Sequence, residues 1–228
     1  MYANRQLFAA WLGPGQMSSQ REKAFLSIVS HCSVPFNFIT NKNVESWIDP
    51  NAPLHPAYSY LSAVHQSDYL RCYLMHKYGG GYTDIKTNLN NWNFFFDALE
   101  LSNKLGAGYI EPSPNGVARV GGIKEKLLKE NYQNLLGFCS FIFKSNTKFT
   151  QSWFDQVNNL LDRNLQELIL NPAKHPQDHN GATFEGGHIS QYPIPWTGLG
   201  GDIFHPLTLD FKDQFIHLDM APSFQNYR

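Results

Sequence analysis

Between positions 67 and 86 the chain gathers side chains suited to a polar, charged ligand. Ser67-Asp68-Tyr69-Leu70-Arg71 is followed by Tyr78-Gly79-Gly80-Gly81-Tyr82-Thr83-Asp84-Ile85-Lys86. Asp68 and Arg71 are three apart and share a face of a helix. The glycines then reverse the chain, since positive φ costs them nothing. In an extended segment beyond them Tyr82, Asp84 and Lys86 point one way, Thr83 and Ile85 the other. A helix face with an acid and a base thus leads into a strand end with a carboxylate and an ammonium, groups that hydrogen-bond a polar ligand and balance its charge. Singly, each piece has a plainer use: a solvated Asp/Arg pair, a strand aspartate, a glycine run that ends a helix.

The elements needed to position these groups are readable on either side. Leu7 to Leu12 is a short apolar run stopped by Gly13-Pro14-Gly15, a buried first strand and tight loop. Ser18 caps a helical stretch reaching His31, and Val34–Thr40 alternates as a second strand. Strand, helix, strand opens an α/β domain with a partly parallel sheet, in which ligands bind beyond the carboxyl ends of the strands. A helical pattern covers Pro56–Tyr78. Strand signals recur at Tyr82–Lys86, Gly106–Ile110 and Gly137–Phe143, and Ser152–Leu170 carries a helical apolar stripe. His175–Gly201 is long, irregular and rich in Gly, Pro and His, a kind of segment usually functional or disordered. With no repeat and no linker, residues 1–228 read as one domain.

Composition narrows the class. Basic and acidic side chains number 18 and 19, so no basic excess exists to neutralise a nucleic-acid backbone. No apolar run has the length of a membrane span, and Met1–Phe8 lacks a signal-peptide pattern. Cys32, Cys72 and Cys139, odd in number and without paired spacing, read as reduced thiols of a cytoplasmic protein.

S-D-x-x-R followed by G-G-x-Y-x-D resembles the sugar-binding region of the DXD glycosyltransferases, a group that includes capsular-polysaccharide and mannosyltransferase-like enzymes and toxin glucosyltransferases. Ser67, Asp68, Arg71, Gly79, Gly80, Tyr82 and Asp84 fall on the pattern without a gap. Trp11-Leu12-Gly13 resembles the family's first-strand W-x-G, Thr197-Gly198 its T-G-P, and His217 with Ser223-Phe224 loosely its final H…S-W. The resemblance implies a GT-A fold: a mixed, mostly parallel sheet flanked by helices, with about 1–110 binding the nucleotide sugar and about 111–228 on the acceptor side. It also implies a nucleoside diphosphate sugar donor, uridine favoured, a glycan or protein-linked glycan acceptor, and retention of configuration. Trp11, with Thr40 beside it, would stack on the base; Asp68 and Arg71 would hold sugar hydroxyls and phosphate; Asp84 would contact ribose or sugar and help place a divalent metal, Mn2+ or Mg2+.

Lys86 departs from the pattern, because the family has a second aspartate there and an ammonium cannot ligate a cation. Three readings stay open. Asp84 binds metal with help from His217 or a late acid; Lys86 itself neutralises the diphosphate; or the protein is catalytically dead. For catalysis, Asp202 in the Trp196–Asp202 loop is the leading late carboxylate beside Arg71, with Glu185 second. His175 and His179 read as surface loop residues. A non-catalytic nucleotide- or sugar-binding module and a glycoside hydrolase are the competing classes; the latter has no use for the S-D-x-x-R and G-G-x-Y-x-D elements.

Overall fold

A computed structural model describes residues 4–187 and 189–225; His188, which falls in the irregular His175–Gly201 segment, and the first part of Met1–Phe8 lie outside them. Six strands form one sheet: β1 (Leu7–Trp11), β2 (Phe36–Thr40), β3 (Gly80–Thr83), β4 (Gly106–Ile110), β5 (Leu136–Phe143) and β6 (Phe215–His217). Their order is β2-β1-β3-β5-β4-β6. The β1/β2, β1/β3 and β4/β6 pairs are parallel; β5 runs antiparallel to both β3 and β4.

That inserted strand has a consequence for chemistry. The carboxyl ends of β1, β2, β3, β4 and β6 share one edge of the sheet, and the amino end of β5 joins them there.

Alternation along the strands explains why the sheet is covered on both faces. Phe8, Phe141 and Phe143 enter a core with Tyr69, Tyr73, Trp153 and Phe204, whereas Leu7 and Ile142 enter another with Ile28, Trp92, Phe96 and Leu99. The first core is closed by α2 (Ala63–Lys77), α5 (Lys148–Leu170) and α6 (Gly201–Asp210), the second by α1 (Ser19–His31) and α3 (Trp92–Glu100). A further helix, α4 (Gly122–Glu130), packs near α6. Caps fix the starts: Ser18, Ser62 and Thr147 accept from backbone N–H groups of the first turns of α1, α2 and α5.

The helix expected over Pro56–Tyr78 is two pieces, because a 3-10 turn at Pro56–Tyr60 gives way at Leu61 to the Ser62 cap. The strand expected over Tyr82–Lys86 ends at Thr83. Lys86 N–H then donates to the Asp84 carbonyl at 2.8 Å, a two-residue turn in place of a strand face.

Candidate active site

The helix α2 packs on β1 and β3 and returns to the sheet through Gly79, held at φ +63°. A Cβ there would approach Ser145 N to 2.7 Å, so glycine is required for sterics as well as for backbone angle. This reversal sets the S-D-x-x-R face directly above the end of β3.

Four charges then stand in a row. Arg71 Nη2 lies 3.2 Å from Asp68 Oδ1 and 3.2 Å from Asp84 Oδ1, and Lys86 Nζ lies 2.9 Å from Asp84 Oδ2. The guanidinium is sandwiched, 4.5 Å from the Tyr82 ring centre and 4.3 Å from that of Phe138, and donates to the Phe138 carbonyl at 2.9 Å. Lys86 Nζ also donates to Cys139 Sγ at 2.8 Å and sits 5.1 Å from the Phe224 ring centre. Ser67 Oγ and the Tyr82 hydroxyl are 3.1 Å apart.

Asp68, Arg71 and Lys86 are buried, while the Asp84 side chain keeps 22% of its surface exposed. Burial pushes the Asp68 carboxyl up to about 6 against the pull of Arg71. Burial would raise Asp84 too, but Lys86 and then Arg71 overcome it and hold that carboxyl well below the usual carboxylate range. Burial opposes the charge on Lys86, yet Asp84 outweighs it and the ammonium titrates above the ordinary lysine range. The Cys139 thiol, pushed up to about 11 by burial and by Asp84, stays protonated and serves Lys86 as a neutral acceptor.

Of the remaining expected site residues, Trp11, Thr40 and His217 end their strands along the same edge. Trp11 and Thr40 are direct neighbours across β1 and β2, and the Trp11 indole N–H donates to Gly15 O at 2.9 Å. Asp202 is in the first turn of α6 and not in a loop: Ile203, Phe204 and Leu207 drive that segment helical by burial, despite its glycines and Pro206. Its carboxyl is half-buried with Oδ1 unpartnered, and burial raises it against a hydrogen bond from Thr197. Glu185 is exposed on a 3-10 turn. His217 ends β6, with β5 and β4 between it and β3, so three strand spacings of roughly 4.8 Å, about 14 Å, separate its strand from that of Asp84. It lines a cleft of about 330 Å³ with Tyr109 and Asp219 instead.

Other residues here carried no motif. Glu111 follows β4 at the carboxyl edge and is buried, its Oε2 3.7 Å from His205 Nε2. Ala118 N–H donates to His205 Nδ1 at 3.0 Å, so the proton of the neutral imidazole is on Nε2, facing Glu111. Burial pushes Glu111 up to about 7, against Lys86. Gly200 reaches Asp68: a Cβ on it would be 3.3 Å from Oδ2. Glu111 was findable as the first residue past a legible strand; Phe138, Cys139 and His205 gave no sign.

A family model for the glycosyltransferase sugar-binding region containing DXD motif matches residues 17–104, the stretch holding Ser67, Asp68, Arg71, Tyr82, Asp84 and Lys86. Over those residues, fewer than half of the chain, it is similar to a DXD-type glycosyltransferase sugar-binding region. Among solved structures it is similar to "PaToxG Glycosyltransferase", at 11% identity and a TM-score of 0.52 over 92% of this chain and 70% of that one. At that identity the likeness speaks for the fold, a single-domain α/β arrangement with a mostly parallel sheet, as the resemblance of sequence had implied. No curated protein matches. Among the described residues no helix is long and apolar enough to cross a membrane, and Cys32, Cys72 and Cys139 are free thiols.

DXD-type glycosyltransferases generally bind a divalent metal through the motif carboxylates. The residues here do not fit one. Both oxygens of Asp84 face cations, the second motif position is itself a cation, and no three His, Cys, Asp or Glu of the described residues converge.

Proposed function

We propose that this protein is a glycosyltransferase that takes a sugar from a nucleoside diphosphate sugar, uridine favoured, bound along the carboxyl edge of the sheet. The row Asp68–Arg71–Asp84–Lys86 carries this reading. In it, the base lies against Trp11 and Thr40, the partly exposed Asp84 carboxylate accepts from ribose or sugar hydroxyls, and the diphosphate reaches Lys86.

A departing nucleoside diphosphate gathers negative charge in the transition state, and preorganised cations in a site with little water stabilise it. Lys86 meets that need on a flexible stem, and Arg71 holds Asp84 in place when Lys86 swings to phosphate. Arg71, buried between two rings and bonded to Phe138, keeps the row in register and acts through Asp84. Residues up to about 110 form the donor side, borrowing Phe138 and Cys139 from β5, and residues beyond about 111 face a glycan or protein-linked glycan acceptor. Asp202 is the carboxylate placed to meet that acceptor, and transfer proceeds with retention.

Thermal melting of the intact protein tests the reading. Uridine diphosphate at millimolar concentration raises the melting temperature, and the uridine diphosphate sugar that binds slowly releases free sugar. Absence of any shift with either uridine or guanosine diphosphate overturns it. A second reading, a non-catalytic binding module, has one observation in its favour: the four charges of the row already pair with one another. Nucleotide binding without sugar release or transfer under any condition would establish that reading.

A further inference from the structure

We propose that Trp196 is a stacking platform for a hexopyranose ring of the acceptor, held at the mouth of the donor site by His65. The inference rests on the donor-site reading and names what lies next to the donor.

The platform is built from α2. His65 is fully buried and three residues before Asp68 on the same helix. Its Nε2 lies 3.0 Å from the Pro195 carbonyl and 3.3 Å from that of Trp196, both acceptors, so Nε2 carries the proton. Its Nδ1 accepts from the Tyr192 hydroxyl at 3.0 Å. Ser62 Oγ also lies 3.3 Å from Nδ1, and the other three contacts pin the 192–196 segment to α2. Because α2 descends toward the sheet before the chain turns into β3, residues earlier on α2 lie further out from the sheet edge. His65 stands about 4.5 Å of helical rise outside Asp68, and it fixes the Trp196 backbone at that height.

The same loop then returns to the donor residues. Gly198 N–H donates to Pro195 O at 2.9 Å, and Gly200 and Asp202 N–H both donate to Thr197 O, at 3.0 and 3.1 Å. These turns bring Gly200 against Asp68 and put the Asp202 carboxyl beside Thr197, next to Trp196.

The indole itself is left in the open. His179 meets it in a T-shaped contact at 5.1 Å, and 43% of the residue remains exposed. An exposed, backbone-anchored indole costs little conformational entropy on binding and offers an apolar face, which suits the C–H face of a pyranose. The half-buried Asp202 carboxyl, bonded to Thr197, lies at the base of this turn, with its Oδ1 enclosed rather than open to the indole face.

Saturation-transfer NMR on the intact protein tests this, with methyl glycosides of glucose, galactose, mannose and N-acetylglucosamine as probes and uridine diphosphate present. At least one glycoside shows transfer to its ring C–H protons, Trp196→Ala weakens its binding roughly 3- to 10-fold, and Trp196→Phe restores part of it. Uridine diphosphate shifts the melting temperature of Trp196→Ala as it does the wild type. Equal glycoside binding by wild type and Trp196→Ala overturns the inference, as does a wild type that binds uridine diphosphate and none of the four glycosides. A Trp196→Ala variant that weakens uridine diphosphate glucose more than uridine diphosphate assigns the platform to the donor sugar and also overturns it. A wild type with no response to nucleotide fails the donor reading instead, and is told apart by that measurement alone.

Discussion

Lys86 Nζ and Asp84 Oδ2 are 2.9 Å apart, so the residue that replaces the second motif carboxylate is an ion-pair partner of the first. In the proposed reading, the cation that the motif would normally recruit from solution is replaced by this ammonium. Chelator therefore leaves activity unchanged, and Lys86→Ala lowers kcat by at least about 100-fold, the scale seen when one group stabilising transition-state charge is removed. Lys86→Asp recreates the motif and makes activity depend on manganese. Full activity of Lys86→Ala, with and without chelator, removes Lys86 from the mechanism.

Arg71 and Asp68 are donor-site residues in the proposed reading and buried groups in the structure. Arg71→Ala strands Asp68 and Asp84 near each other without their shared counter-ion, and costs about 3–5 kcal/mol as well as turnover. Arg71→Lys keeps the charge and loses the planar sandwich between Tyr82 and Phe138, so it recovers only part of the stability. Denaturant titration of the two variants measures both. An Arg71→Ala protein as stable as wild type contradicts the structural half of the assignment.

Glu111 makes a pH prediction of definite sign. Its ordinary value of 4.5 is raised to about 7 in the fold, chiefly by burial. The folded state holds the proton more tightly, so stability falls as pH rises from 4.5 through 7. Glu111→Gln removes that loss, on the order of 1–3 kcal/mol. Its melting temperature relative to wild type climbs between pH 5 and pH 8, and a difference independent of pH refutes the assignment.

His65 has the opposite dependence. Burial lowers it from 6.5 to about 4, so the unfolded chain takes up the proton first and stability falls as pH drops from 6.5 toward 4. At neutral pH His65→Gln costs about 1–3 kcal/mol through the bonds to Tyr192, Pro195 and Trp196. That deficit shrinks toward pH 4, where the wild type must protonate a buried imidazole, and melting curves at several pH values show the convergence.

Much of this was legible because local chemistry and the final fold agree. Gly79 needed its left-handed angle, the strands alternated, and Ser67, Asp68, Arg71 and Asp84 carried their spacing into a single cluster. What stayed hidden was set by partners distant in sequence. Gly200, Gly201 and Pro206 argue against a helix, yet Phe204 buried against Phe138 and Trp153 makes one. Cys139 becomes a lysine acceptor only because β5 inserts backwards beside β3. His65 looked like any helical histidine until the carbonyls of Pro195 and Trp196 arrived from 130 and 131 residues away.

The reversal at Gly79 joins α2 and β3 like the two arms of a caliper whose pivot is locked. A Cβ would strike Phe143 O as well as Ser145 N, and each arm is packed into the aromatic core. The arms cannot open to admit a ligand without breaking that core. Entry and exit therefore fall to two coverings contributed later in the chain, the 196–200 turn, whose Gly200 meets Asp68, and the segment carrying Phe224, whose ring lies near Lys86. Amide hydrogen exchange separates the two behaviours. Amides of α2 and β3 exchange only on global unfolding, at a rate nucleotide alters only through overall stability, whereas those of the coverings exchange by local opening and slow selectively when the site is filled.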